Sequence, residues 1–210
     1  MQAREDLIDC GRHLVELGLV WGHSGNISLK TEPNGFIISA TGTNLGHLGD
    51  EDLVLCRIDR DAWEGSRRPS METGLHRGIY HACKDAGAVI HSQPFYSTLA
   101  ACSGLDIRTD CLPEAMAYLG QVERVPYHHA GSSQLAETVA AKAQSSRVLL
   151  LNNHGVVCWG SSLDECLLLT ETLELLCRLL ITSRAAGIPI NYLGRETTED
   201  FIRHLKSIGR

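Results

Sequence analysis

The chain has no long uninterrupted apolar run. Its longest apolar stretch, Leu163 to Ile181, is broken by Asp164, Glu165, Glu171, Glu174 and Arg178, so no membrane-spanning helix is expected. The opening residues, Met1 to Asp6, carry acids and no apolar leader segment, which argues against secretion. Positive charge is scarce as well. The formal net charge is −6 without a basic stripe, which speaks against nucleic acid or an anionic membrane as partner. Prolines number only six, and a charged content of 21% is ordinary, so a fibrous or disordered chain is excluded. No two of the eight cysteines (10, 56, 83, 102, 111, 158, 166 and 177) form a Cys-x-x-Cys pair. Most sit inside apolar runs, as reduced core residues of a cytoplasmic protein do.

With 210 residues and 43% hydrophobic content, the chain is long enough for one domain with its own core, residues 1–210. Leu7, Cys10, Leu14 and Leu17 recur at helical spacing over residues 3–17, and Gly18 closes that helix. Between it and a strand at Ile27–Lys30 lies Trp21-Gly22-His23-Ser24-Gly25-Asn26-Ile27-Ser28. Its glycines allow close backbone approach, and Asn26 and Ser28 offer hydrogen bonds that suit an anion such as phosphate; a plain helix-to-strand turn reads equally well. Strands at Phe36–Ser39 and Leu53–Ile58 flank a second hydroxyl-rich turn, Thr41-Gly42-Thr43, and two such turns strengthen the anion reading. Residues 59–69 read as a surface connection. Ser70 then caps a helix with Glu72 in its first turn and His76 on the same face, a pair more often structural than catalytic.

The run Ala88-Val89-Ile90-His91-Ser92-Gln93-Pro94 is the centre of the reading. Side chains alternate along a strand, so His91 and Gln93 project together from its end. A second apolar strand, Arg147–Leu151, also runs into a histidine followed by glycine, Asn152-Asn153-His154-Gly155, placed to converge with His91 on one site. Helices are expected at Phe95–Cys102, Gln134–Ala143, Leu163–Ala186 and Thr198–Lys206, with a strand at Val156–Trp159, while Ile107–Leu112 and Val122–Val125 fall in a less regular middle section. His128 and His129 read as surface or interface residues.

Taken in order, Gly25-Asn26-Ile27-Ser28, Thr41-Gly42-Thr43, Pro69-Ser70-Met71-Glu72, Val89-Ile90-His91 and Asn153-His154-Gly155-Val156 resemble the class II aldolase/adducin family, along essentially the whole chain. That family includes fuculose-phosphate aldolase and ribulose-phosphate 4-epimerase. The resemblance implies an α/β fold, a three-layer α/β/α domain with a mixed, largely antiparallel sheet, assembled as a homotetramer. It implies a divalent ion, zinc before manganese or magnesium, held by His91, Gln93 and His154, with Glu72 as the catalytic acid–base. Asn26, Ser28, Thr41, Gly42, Thr43 and Ser70 fall on its phosphate-binding positions. The implied activity is a metal-dependent aldehyde-lyase, cleaving a small hydroxy-ketone or sugar phosphate through a metal-stabilised enediolate. The alternatives are a decarboxylase, dehydratase or epimerase on the same scaffold, or a non-catalytic adducin-like binding module.

Three departures from the family pattern stand out. Gln93 occupies the place of a histidine, which should weaken metal binding, with its amide oxygen expected to fill the position weakly. Met71 replaces a hydroxyl. The tyrosine that the sugar-phosphate aldolases use as proton donor has no counterpart, and Glu114 or Tyr118 stands nearest in sequence to take its role.

Overall fold

A computed structural model describes residues 2–31 and 34–209 of the chain. Eight strands form one sheet: β1 (Asn26–Thr31), β2 (Gly35–Ser39), β3 (Leu53–Arg57), β4 (Trp63–Glu64), β5 (Ala88–Ser92), β6 (Val122–Val125), β7 (Val148–Leu151) and β8 (Gly155–Gly160). Their order is β4-β3-β2-β1-β5-β8-β7-β6, and β6–β7 is the one parallel pair among antiparallel neighbours. The expected mixed, largely antiparallel α/β fold is observed. The first half of the sheet, β4 to β1, meets the second, β5 to β6, along the β1–β5 ladder, where Asn26 pairs with His91 and Ser28 with Val89.

The described residues form six α-helices, of which the first five pack on the sheet: α1 (Gln2–Glu16), α2 (Thr73–Ala82), α3 (Phe95–Ala101), α4 (Ser133–Ala143), α5 (Leu163–Ala186) and α6 (Gly194–Ser207). Strand alternation divides the core between the two faces. Phe36, Ile38, Val89, Leu149 and Val157 pack against Leu75 and Ile79 of α2 and Leu135 and Val139 of α4. Ile27, Ile37 and Ile90 turn the other way, onto Leu7 and Leu14 of α1, while Leu150 and Val156 meet Leu169, Leu173 and Leu176 of α5. Because Asn26, Ser28 and His91 have the parity of Val89, they belong to the α2–α4 face.

Several boundaries depart from the sequence expectation. Leu17 lies just beyond α1 and is exposed, and Gly18, at φ +68°, turns the chain immediately after it. Residues 59–69 are not wholly connection: Trp63 and Glu64 add the short edge strand β4. The helix at Ser70 starts three residues later, at Thr73. The Ser70 hydroxyl accepts the Glu72 N–H at 3.2 Å, and the Thr73 hydroxyl donates to the Ser70 carbonyl at 2.6 Å. This tight turn leaves Glu72 at the N-cap of α2 rather than inside its first turn. The final helix begins earlier than expected, at Gly194.

Candidate active site

Three side chains that could ligate an ion converge at the seam of the two half-sheets. One ligand atom from each of Glu72, His91 and His154 lies within 4.8 Å of the others, the only such group among the described residues. His91 is the last residue but one of β5 and is fully buried; its Nδ1 lies 2.9 Å from the Val156 carbonyl across the β5–β8 ladder. A carbonyl only accepts, so Nδ1 carries the hydrogen and Nε2 is turned toward Glu72 Oε2, 3.0 Å away. That is how metal-ligating imidazoles are commonly oriented.

His154 sits in the turn between β7 and β8. Asn153 takes the left-handed conformation there, at φ +56°, which asparagine tolerates better than most residues. Arg124 of β6 donates to Asn152 Oδ1 at 3.2 Å and fixes the start of the turn. The result sets the His154 ring 4.8 Å from that of His91, nearly edge-on, with Nε2 3.3 Å from Glu72 Oε1.

Two glycines permit this closeness. A Cβ on Gly25, whose φ is +79°, would stand 2.8 Å from the His91 carbonyl oxygen. One on Gly155 would stand 2.6 Å from the Ser92 carbonyl oxygen and 3.0 Å from Gln93 Cγ. Glu174 of α5 also braces the site: its carboxylate accepts from the Tyr96 and Ser97 N–H groups at 2.9 and 2.8 Å, pinning the chain just past Gln93 and Pro94.

Glu72 is buried, yet its acidity is held well below the usual carboxylate range. Burial works to raise it, and the charges of His91 and then His154, with hydrogen bonds from His91 and Asn26, outweigh burial. His91 is moved the opposite way, upward: burial opposes its charge and Glu72 prevails. His154 is lowered by burial and by His91 against the pull of Glu72. Gln93 Nε2 lies 2.9 Å from His91 Nε2, so Gln93 does share the face of His91.

Two buried oxygens here, Glu72 Oε1 and Gln93 Oε1, accept no hydrogen bond. Uncompensated buried oxygens are costly unless something pairs with them. Two imidazoles, a carboxylate and an amide oxygen with lone pairs to spare fit a divalent cation, so the residues present suit the group the fold implies.

A cavity of about 290 Å³ opens beside the cluster. Asn26, Thr41, Gly42, Thr43, Ser70, Glu72, Gln93 and His154 line it, together with Met71, Ala130 and the Gly25 turn. Ser28 does not. It is fully buried, with its hydroxyl 2.7 Å from both His76 Nδ1 and Tyr80 OH, because two residues further along β1 lies the underside of α2 rather than the cavity. Asn26 divides its amide: Nδ2 donates to Glu72 Oε2 at 3.0 Å, and Oδ1 lies 2.6 Å from His76 Nε2. Glu114 and Tyr118 are also absent from the lining. Tyr118 borders a separate hollow between the C-terminal end of α4 and the middle of α6. His128 is half-buried and His129 exposed, on the loop whose Ala130 reaches the cavity.

The Class II Aldolase and Adducin N-terminal domain matches residues 5–181. The chain belongs to the class II aldolase/adducin family. It is 30% identical to 3-oxo-tetronate 4-phosphate decarboxylase of Haemophilus influenzae, over 99% of this chain and 97% of the relative. It is 35% identical to L-fuculose phosphate aldolase of Methanococcus maripaludis, over 79% of this chain and 88% of the relative. Among solved structures, YgbL of Klebsiella pneumoniae superposes with a TM-score of 0.88 at 31% identity, covering 95% of this chain and 97% of that one. The chain is therefore an enzyme, a metal-dependent lyase of carbohydrate metabolism, and the non-catalytic alternative falls away. Among the described residues no helix is long and apolar enough to cross a membrane.

Proposed function

We propose that the enzyme cleaves a carbon–carbon bond of a small phosphorylated hydroxy-ketone by a retro-aldol reaction, residues 1–210 acting as one catalytic unit. The reading rests on Glu72: Asn26 holds one carboxylate oxygen, and the other is buried without a hydrogen bond at the cavity. A carboxylate so placed is a general base. Oε1 takes the proton of a substrate hydroxyl, the adjacent carbon–carbon bond breaks, and its electron pair passes to the carbon next to the carbonyl. That carbon then receives the proton back from Glu72.

A divalent ion held by His91, His154, Gln93 and Glu72 supplies, when bound, electrophilic polarisation of the substrate's oxygens. We assign zinc, because imidazoles suit a borderline cation; the amide oxygen of Gln93 leaves manganese or magnesium as replacements. Asn26, Thr41, Gly42, Thr43 and Ser70 take the phosphate. Hydroxyl and backbone N–H groups meet it without a lysine or arginine among the cavity's lining residues. Sugar phosphates in the relatives' names support this substrate class. We further place the protein in the cytoplasm as a homotetramer: its eight cysteines are free, and Leu168, Leu175 and Leu179 of α5 offer exposed apolar surface for self-association.

One observation favours decarboxylation of a 3-oxo acid phosphate as a second reading. Glu72 is the sole carboxylate lining the cavity, and loss of CO2 needs a proton delivered to carbon but no base for a hydroxyl. Incubation with ketose 1-phosphates and with 3-oxo-tetronate 4-phosphate, with and without added Zn2+ or Mn2+, separates the two. Metal-dependent aldehyde release is expected. Release of CO2 alone selects the second reading, and neither product at full metal occupancy overturns both.

A further inference from the structure

Behind Glu72 a line of buried polar groups runs into the core: Asn26, His76, Ser28 and Tyr80, each at most 6% exposed. Every link is within hydrogen-bond distance, from 2.6 to 3.0 Å. Its direction follows from donor and acceptor counting. An ionised carboxylate only accepts, so Asn26 must present its amide nitrogen to Glu72 Oε2 and its oxygen to His76. That oxygen also only accepts, so His76 Nε2 must carry a hydrogen. A fully buried imidazole with no carboxylate in hydrogen-bond contact stays neutral, so Nδ1 is bare and accepts from Ser28. The single Ser28 proton is then spent, and Tyr80 must donate to the Ser28 oxygen. All four bonds point the same way, toward the carboxylate.

We propose that His76 is a positioning residue: through Asn26 it anchors Glu72 by Oε2 alone, so that Oε1 is left as the working oxygen. The polarised chain replaces the water that would otherwise solvate the carboxylate, while the ring of His76 never meets the substrate. It takes no part in proton transfer; it fixes which oxygen faces the cavity. The inference rests on the reading of Glu72 as the proton-handling carboxylate.

Two measurements on the Zn2+-loaded full chain test it. Long-range proton–nitrogen NMR with 15N-histidine, the His76 signals assigned by their loss in His76→Gln, should show a protonated Nε2 and a bare Nδ1. A protonated Nδ1, or a charged ring at neutral pH, overturns the proposal. This readout holds whether or not the reaction assigned above is right, so failure of that assignment is told apart by the product assay. In steady-state kinetics with the substrate that assay identifies, His76→Leu should lower kcat roughly 10- to 100-fold with KM and zinc content nearly unchanged. His76→Gln, whose amide N–H reaches the Nε2 position, should recover most of the loss. Should His76→Leu fold poorly, Ser28→Ala, which removes the bond fixing the His76 ring, takes its place and should lower kcat several-fold at unchanged KM. A kcat untouched by the substitutions, or one lost equally in Leu and Gln together with zinc, shows His76 to be merely structural.

Discussion

Asn26 stands between two groups of buried polar side chains that meet the same physical demand in opposite ways. Toward α2, His76, Ser28 and Tyr80 satisfy one another completely. Toward the cavity, Glu72 and Gln93 each keep a buried oxygen with nothing bonded to it. A buried polar atom without a partner costs about 1–3 kcal/mol, so a fold tolerates it where something else supplies the partner. The closed group reads as scaffold and the open group as the place where chemistry occurs.

The contrast breaks most sharply at Glu72. Glu72→Gln keeps the shape and the Asn26 contact but removes the proposed base, and turnover should fall by roughly 10²- to 10⁴-fold in the product assay while the fold persists. If turnover survives, the open group is not the working one.

The closed group should show itself in acid. His76 is pushed from 6.5 down to about 3, first by burial, then by the nearby charge of His91, against the opposing pull of Glu72. Between those values the unfolded chain binds a proton that the folded one refuses. The His76 contribution is therefore whole above pH 6.5 and is lost progressively as pH falls toward 3, at up to about 1.4 kcal/mol per pH unit. Urea midpoints taken across that range should fall with pH, and His76→Leu should flatten the decline.

Ser28→Ala probes the same group without touching a charge. It strands His76 Nδ1 and the Tyr80 hydroxyl, at a stability cost of about 1–3 kcal/mol in denaturant titrations. A loss as small as an exposed serine gives would mean the chain is slack.

Gln93→His sharpens the other side. An imidazole in place of the amide should tighten metal binding roughly 10- to 100-fold, read by competition with a chelator. No change would mean that residue 93 does not face the ion.

How much of this was legible in the sequence depends on how far apart the cooperating residues lie. His91 and His154 announce themselves, since each is a histidine at the mouth of an apolar strand, and the β5–β8 and β8–β7 ladders bring the end of β5 and the β7–β8 turn together. The order of motifs that resembles the family carries Glu72, which spacing alone leaves as a helix cap. Strand parity sets Ser28 on the face of Asn26 without telling how deep it lies under α2, so its place outside the cavity lining has no signature in the sequence. The chain through His76 and Tyr80 joins residues about fifty positions apart, and periodicity within one element carries no trace of it. Strand β4 has no signature in the sequence, because two exposed residues leave no alternation to read.

The β1–β5 ladder divides not only the sheet but the proposed binding site: Asn26, the Thr41–Thr43 turn and Ser70 belong to one half, and His91, Gln93 and His154 to the other. A ligand that grips both halves recognises only the joined molecule. By mass action it lends its binding free energy to their union, about 2.7 kcal/mol at a hundred times its dissociation constant. Substrate and ion bound as proposed would in this sense act as clasps on the fold, stabilising the folded chain as well as reacting in it.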